Sequence, residues 1–282
     1  MSGLAIITDS TAYIPSELVK KYGLHIAPQI VIWGEETLRD GVDIQPDEFY
    51  ARLKTATKMP TTSQATIAAF KELYEKLAGE GKQILAILIS SKLSGTISSA
   101  VQAKELVPKA SVEIIDSNAT AMALGFQVLA AARAAEAGRP FAQVAEIARR
   151  GAAHTGIVFA VDTLEFLHRG GRIGGAARLL GTALNLKPVL ELVDGRIEPV
   201  ERVRTKAKAR ARLLEIIQEK VKGKPNLRLA TVHAAAEAEA MELLEQAVAL
   251  LKPVESVVAV ASPAVGAHAG PGTVGLAYST DL

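Results

Sequence analysis

The run Gln83-Ile84-Leu85-Ala86-Ile87-Leu88-Ile89 is followed at once by Ser90-Ser91-Lys92-Leu93-Ser94-Gly95-Thr96. An unbroken apolar run of this length has no solvent face, so it reads as a strand covered on both sides, as in a parallel sheet. Its hydroxyl- and glycine-rich tail leads into a helix. That tail lies beyond the carboxyl end of a strand, which is where open parallel sheets hold ligands, because free N–H groups of loops and helix N-termini converge there. Working outward, Leu4–Ile7 repeats the pattern and enters Thr8-Asp9-Ser10-Thr11, and Val112–Ile115 repeats it again and enters Asp116-Ser117. Strand, polar turn and helix recurring through the first half predict an α/β fold with a mostly parallel N-terminal sheet.

The remaining elements follow from punctuation and periodicity. Pro15 suits a first helical turn, Leu18, Val19 and Tyr22 form an apolar stripe, and Gly23 caps the end. Leu24–Trp33 reads as the next strand, continuing through a hairpin around Gly34 to Leu38, and Pro46 opens a helix through Leu53. Before a helix near Ala65 lies Lys58-Met59-Pro60-Thr61-Thr62-Ser63-Gln64, whose hydroxyls read first as helix caps. Thr120–Arg150 is Ala-rich and reads as two helices parted near Gly138 and Pro140. A change of composition near residue 151, with a new apolar strand from Gly156 to Val161, predicts a boundary there and two α/β domains, 1–151 and 152–282. In the second, Val189–Val193 and Arg196–Val203 flank Asp194-Gly195, a strong hairpin signal. Leu227–Val232 and Ser256–Ala261 are strands around an amphipathic helix from Ala236 to Leu251, and Thr273–Tyr278 is the last strand.

Composition narrows the function. The 282 residues are 49% hydrophobic but only 4% aromatic, so cores of Leu, Ile, Val and Ala are expected and aromatic stacking on nucleic-acid bases is not. With 32 basic against 30 acidic residues the net charge is +2, too balanced for general nucleic-acid binding. The absence of cysteine excludes disulfides, thiolate catalysis and Cys-liganded metals. The opening MSGLAIITDS lacks signal-peptide character and no apolar run reaches membrane-spanning length, so a soluble cytoplasmic protein is expected.

Four features carry candidate chemistry. Ser94, with His268 and either Asp9 or Asp116, has the residue types of a hydrolase, although the Gly-x-Ser-x-Gly context of a nucleophile elbow is missing. The alternative is that Ser94 and neighbouring N–H groups donate to an anion at a helix N-terminus. Arg169-Gly170-Gly171-Arg172-Ile173-Gly174-Gly175 can form a backbone nest for phosphate with Arg169 and Arg172, or simply a tight turn with Arg172 on the surface; it is neither a P-loop nor a dinucleotide fingerprint. His268, set among glycines in Val265–Gly272, reads as lying on an accessible turn and able to donate to a carboxylate or phosphate, and no metal-binding His spacing occurs. Arg202, Arg204, Lys206, Lys208, Arg210 and Arg212 alternate, switching from strand face to helix surface at Thr205, which fits a solvated face or a contact with an acidic protein or phosphate.

Taken together, Asp9-Ser10-Thr11, Pro60–Gln64, Ser90–Thr96, Phe159–Leu164 with Gly170-Gly171-Arg172-Ile173, and Gly266–Gly272 resemble the DegV family, as do the linking stretches Lys187–Leu190 and Val203–Lys206. The match runs from Leu4 to Tyr278. The resemblance implies a two-domain α/β protein that binds a long-chain fatty acid between its domains, as the binding subunit of bacterial fatty acid kinase, without catalysis of its own and without a cofactor. By the same resemblance Thr62 and Ser94 hold the carboxylate, with Thr61 as a neighbour. Arg172 and His268 are the basic residues near it, Arg204 engages the kinase, and a separate ATP-dependent kinase subunit forms the acyl phosphate for phospholipid synthesis.

Three positions depart from the family pattern. Lys92 stands where a small residue is expected, Ile97 where an aromatic is expected, and Ala65 where Pro is expected. None removes a carboxylate donor. Burying about 14 methylenes at about 0.8 kcal/mol each gives an upper bound of roughly 11 kcal/mol before ordering costs. The tail thus supplies most of the affinity, and Ser94→Ala is expected to weaken or misplace the head group without abolishing binding. The alternative function is an enzyme acting on an acyl or phosphorylated substrate through Ser94 or His268.

Overall fold

The computed structural model describes residues 3–181 and 186–282. The chain opens with β1 (Leu4–Asp9), a 3-10 turn over Ser10–Ala12, α1 (Ser16–Tyr22), β2 (His25–Ala27), β3 (Ile30–Trp33), β4 (Glu36–Arg39) and α2 (Pro46–Leu53). It continues with β5 (Thr61–Ser63), α3 (Ile67–Gly79), β6 (Gln83–Leu88), α4 (Thr96–Leu106), β7 (Val112–Asp116), α5 (Ala121–Glu136) and α6 (Phe141–His154). Then come β8 (Thr155–Ala160), α7 (Glu165–Arg169), a 3-10 stretch over Gly174–Leu179, β9 (Lys187–Val193), β10 (Arg196–Val203) and α8 (Lys206–Val221). The last elements are β11 (Arg228–His233), α9 (Glu237–Leu251), β12 (Glu255–Val260), α10 (Pro263–Ala269) and β13 (Val274–Ser279).

The first sheet has the order β2-β1-β6-β7 and every pairing in it is parallel. Ile84–Leu88 of β6 are all buried, as the unbroken apolar run requires of a central strand. The second sheet has the order β10-β9-β8-β13-β11-β12 and is antiparallel except for β11 with β12. The Asp194-Gly195 turn has left-handed φ at both residues, 46° and 75°, as the tight hairpin joining β9 to β10 demands.

Two expectations are corrected. Leu24–Trp33 is not one strand: β2 ends at Ala27 beside β1, and Pro28, which has no N–H to give a ladder, precedes departure of β3 into a small antiparallel sheet of order β4-β3-β5. Thr61–Ser63 do not cap α3. They pair with β3, and the cap is Thr66, whose Oγ1 accepts from Ala69 N at 3.1 Å.

Helix α5 joins the two sheets. It packs on β1 and β6 of the first sheet and on β8 and β13 of the second, and it is buried around nearly its whole circumference. Alanines let both sheets approach it closely, which is why this stretch looks apolar without looking amphipathic. The expected boundary at 151 falls in the last turn of α6, and β8 follows at Thr155. Among the described residues no helix is long and apolar enough to cross a membrane.

Candidate functional site

The carboxyl ends of β1 and β6 face the broad side of the second sheet, and a cavity lies where they meet. It encloses about 970 Å³ of space, part of it open to solvent. Strand alternation supplies its apolar wall. Ile157 and Phe159 of β8 point into it, while Val158 and Ala160 point the other way into a core with Ala209 and Leu213 of α8. Leu192 of β9, Ile197 of β10 and Leu93 of the loop after β6 extend the same wall.

Polar side chains on the rest of the lining include Thr62, Ser94, Arg172, His268 and Gln29. Thr62 comes from β5, and its Oγ1 is 2.6 Å from His268 Nε2, so the small three-stranded sheet and α10 meet here. His268 Nδ1 is buried without a hydrogen-bond partner and sits directly against Gly170, where an added Cβ would collide with it. An orphaned N–H costs more than an orphaned acceptor, so the proton belongs on Nε2 and is donated to Thr62. Thr62 then has its own proton free. Burial, and secondly the Arg172 charge, lower the His268 pKa to about 4, which leaves the ring neutral near pH 7.

Arg172 is held from two sides. Its Nε donates to Leu93 O at 3.0 Å and its Nη1 to Gly170 O at 2.8 Å, which ties the segment after α7 to the Ser94 loop. Ser94 Oγ is 2.8 Å from Thr96 Oγ1, and Thr96 Oγ1 accepts from Gln29 Nε2 at 2.8 Å. The result is an apolar chamber with one region that offers hydroxyl donors and a fixed guanidinium, an arrangement suited to an amphiphile with an anionic head.

Several sequence expectations change at this point. His268 does not sit on an accessible turn but on the last turn of α10, in the cavity wall. The Pro263 start and the close packing of Gly266 on Phe49 and Tyr50 make a helix of a stretch whose glycines look like a loop. Arg172 is no surface arginine. The phosphate nest is not formed, because the N–H groups of Gly170, Gly171 and Arg172 are bonded to carbonyls of α7 residues Phe166, His168 and Leu167.

The hydrolase set is not assembled either. Asp9 accepts from Thr11 and from Ile89 N, and Asp116 accepts from Ser91 N and Asn118 N. Among the described residues no carboxylate bonds to His268, and Ser94 pairs with Thr96 rather than with the imidazole. Thr61 is exposed and lies outside the cavity lining. In the basic run, Lys206 pairs with Asp162, Arg210 with Glu242, and Arg212 with Glu201 and Glu215, whereas Arg204 is exposed without an ion pair among the described residues. Among the described residues no His, Asp and Glu cluster could hold a metal ion.

Sequence patterning did not single out Gln29, Tyr13, Thr120 and His233 of the lining, nor Thr96 behind it. Gln29 lies in the short link between β2 and β3, and Thr96 looks like any first residue of a helix. The one available signal was the double hydroxyl Ser94-x-Thr96 at a strand's carboxyl end.

Fold and cavity together define a two-domain α/β protein with an apolar chamber where the edge of a parallel sheet meets the face of a mostly antiparallel one. The chain belongs to the DegV family: a family model described as "Uncharacterised protein, DegV family" matches residues 3–281. It is 37% identical over 280 residues to a DegV domain-containing protein of Clostridium perfringens, covering 98% of each chain. The solved structure of a DegV family protein from Thermus thermophilus, described for its fatty acid binding, superposes with a TM-score of 0.93 at 34% identity, covering 98% of this chain and 99% of that one. DegV of Bacillus subtilis, a fatty acid binding protein, superposes with a TM-score of 0.92 at 33% identity over the whole of both chains.

Proposed function

We propose that the chain binds one long-chain fatty acid in this cavity, with the carboxylate against Thr62, Ser94 and Arg172 and the tail along Ile157, Phe159 and Leu192. The carrying observation is the combination in one chamber of an apolar sheet face with the Thr62 and Ser94 hydroxyls and the fixed Arg172 guanidinium. Fatty acid binding by the Thermus thermophilus and Bacillus subtilis proteins supports the same reading. His268 stays neutral and acts through Thr62, so the positive charge beside the head group comes from Arg172.

The protein acts as a carrier without catalysis of its own. It presents the acid to a separate ATP-dependent kinase subunit that forms the acyl phosphate, and the exposed Arg204 belongs to the surface that meets this partner. Cytoplasmic location follows from that role. Native mass spectrometry of freshly purified protein, followed by denaturing extraction, tests the reading. One long-chain acid per chain and no turnover by the protein alone are expected. An apo mass that also refuses added fatty acid overturns it.

A further inference from the structure

Thr96 is fully buried at the first position of α4 and is not part of the cavity wall. Its Oγ1 accepts a hydrogen bond from Gln29 Nε2 at 2.8 Å and lies 2.8 Å from Ser94 Oγ. Gln29 is buried too, and its amide lies near Asp9, whose carboxylate collects the Thr11 N–H, the Thr11 hydroxyl and the Ile89 N–H. A carboxylate ringed by donors turns the Gln29 nitrogen, not its oxygen, toward itself and toward Thr96. Thr96 Oγ1 makes no further hydrogen bond among the described residues, so its own proton has Ser94 Oγ as acceptor. The Thr96 backbone N–H reaches the same Ser94 oxygen at 3.3 Å. Both lone pairs of Ser94 are thereby filled from Thr96, and Ser94 keeps one proton to give into the cavity.

We infer that Thr96, oriented by Gln29, is a positioning residue that makes Ser94 a dedicated hydrogen-bond donor, so that the site selects a carboxylate over a hydroxyl head group on the same chain. The inference rests on the fatty-acid reading. A carboxylate is acceptor-only and forms charge-assisted bonds with Ser94, Thr62 and Arg172, whereas an alcohol is a weaker acceptor whose own proton finds no acceptor at Ser94 or Arg172 and only the second lone pair of Thr62.

The test is competition binding of hexadecanoic acid and hexadecan-1-ol, both delivered from cyclodextrin, to the full-length chain. Wild type is expected to prefer the acid by about tenfold, the difference between a charge-assisted and a neutral hydrogen bond. Thr96→Val should lower acid affinity by about tenfold and alcohol affinity by no more than about twofold, and Thr96→Ser should restore the acid preference. Gln29→Met, which leaves Thr96 free to accept from Ser94, should behave like Thr96→Val and carries the test if that variant does not fold. An unchanged acid-to-alcohol ratio in the variants, or an equal fall for both ligands, overturns the positioning role alone. Wild type that binds neither ligand overturns the fatty-acid reading and this inference with it.

Discussion

The first sheet meets the cavity with an edge, the second with a face. At the edge every contribution comes from a loop beyond a strand, so residues such as Ser94 are held by turn and helix-start hydrogen bonds and can be polar without disturbing the sheet. On the face the contributors are alternate residues of strands, such as Ile157 and Phe159, whose opposite neighbours belong to another core. A parallel sheet is covered on both faces and has only its edge to offer, whereas a mostly antiparallel sheet can lend one face to a ligand. One ligand with two chemically different ends therefore fits between two sheets of different pairing.

The largest effect should come from breaking the face. Leu192→Asp places a carboxyl in the apolar wall, where an unpaired charge costs several kcal/mol. Affinity for hexadecanoic acid and for hexadecan-1-ol should fall together, by more than about 100-fold, because both tails lose the same wall. If competition binding showed either affinity within about threefold of wild type, the tail would not lie along the second sheet.

Next comes the join between the two regions. Gly170→Ala builds a methyl into His268 Nδ1, and the Gly170 backbone cannot yield because its N–H and C=O are held by Phe166 and Arg172. Overpacking of this kind costs up to about 3 kcal/mol, or several degrees of Tm in a chain of this size. Calorimetry should show that loss together with weaker acid binding, and an unchanged Tm would mean that the imidazole moves aside freely.

How much of this was legible in the sequence follows from the same edge and face distinction. Strand β6 and its loop could be read directly, because a buried parallel strand is apolar throughout and its polar ending is abrupt. Ser94 and Thr62 came into view through hydroxyl-rich segments. The apolar wall did not, since alternation on β9 and β10 gives two faces without saying which one the first sheet will approach. His268 was visible as an oddity among glycines, yet its burial depends on Gly266 and Gly170 packing against other chain segments, which no local pattern encodes. The break between β2 and β3 was missed because apolar residues continue on both sides of Pro28-Gln29.

The imidazole also gives the cavity a pH response. Its pKa is about 4 in the folded chain against an ordinary value of about 6.5, so between these values the unfolded chain binds a proton that the folded chain does not. The stabilisation is complete above pH 6.5 and is lost as pH falls toward 4. Asp40, buried and raised to about 6, has the opposite slope in part of this window and would mask the effect in wild type alone. Measuring wild type and His268→Asn side by side removes it. Their difference in denaturation free energy should shrink by about 3 kcal/mol from pH 7 to pH 4, and a constant difference would sink the assignment of a neutral buried ring.

The smallest effect belongs to the fastening of the β9–β10 tip, where Leu192 and Ile197 depend on the hairpin staying against the first sheet. Ser90 Oγ donates to Gly195 O at 3.0 Å in a buried setting, and Lys92 Nζ donates to Asp194 O at 2.6 Å in an exposed one. Lys92 thus bridges the edge of one sheet to the hairpin of the other. A buried hydroxyl bond lost by Ser90→Ala leaves the Gly195 carbonyl without that partner and should cost about 1–2 kcal/mol. The exposed ammonium competes with water for its carbonyl, so Lys92→Ser should cost under about 0.5 kcal/mol and leave Tm within about 2 °C. Thermal denaturation of the two variants compares them directly. If Lys92→Ser proved as costly as Ser90→Ala, the exposed bridge rather than the buried hydroxyl would be what keeps the face against the edge.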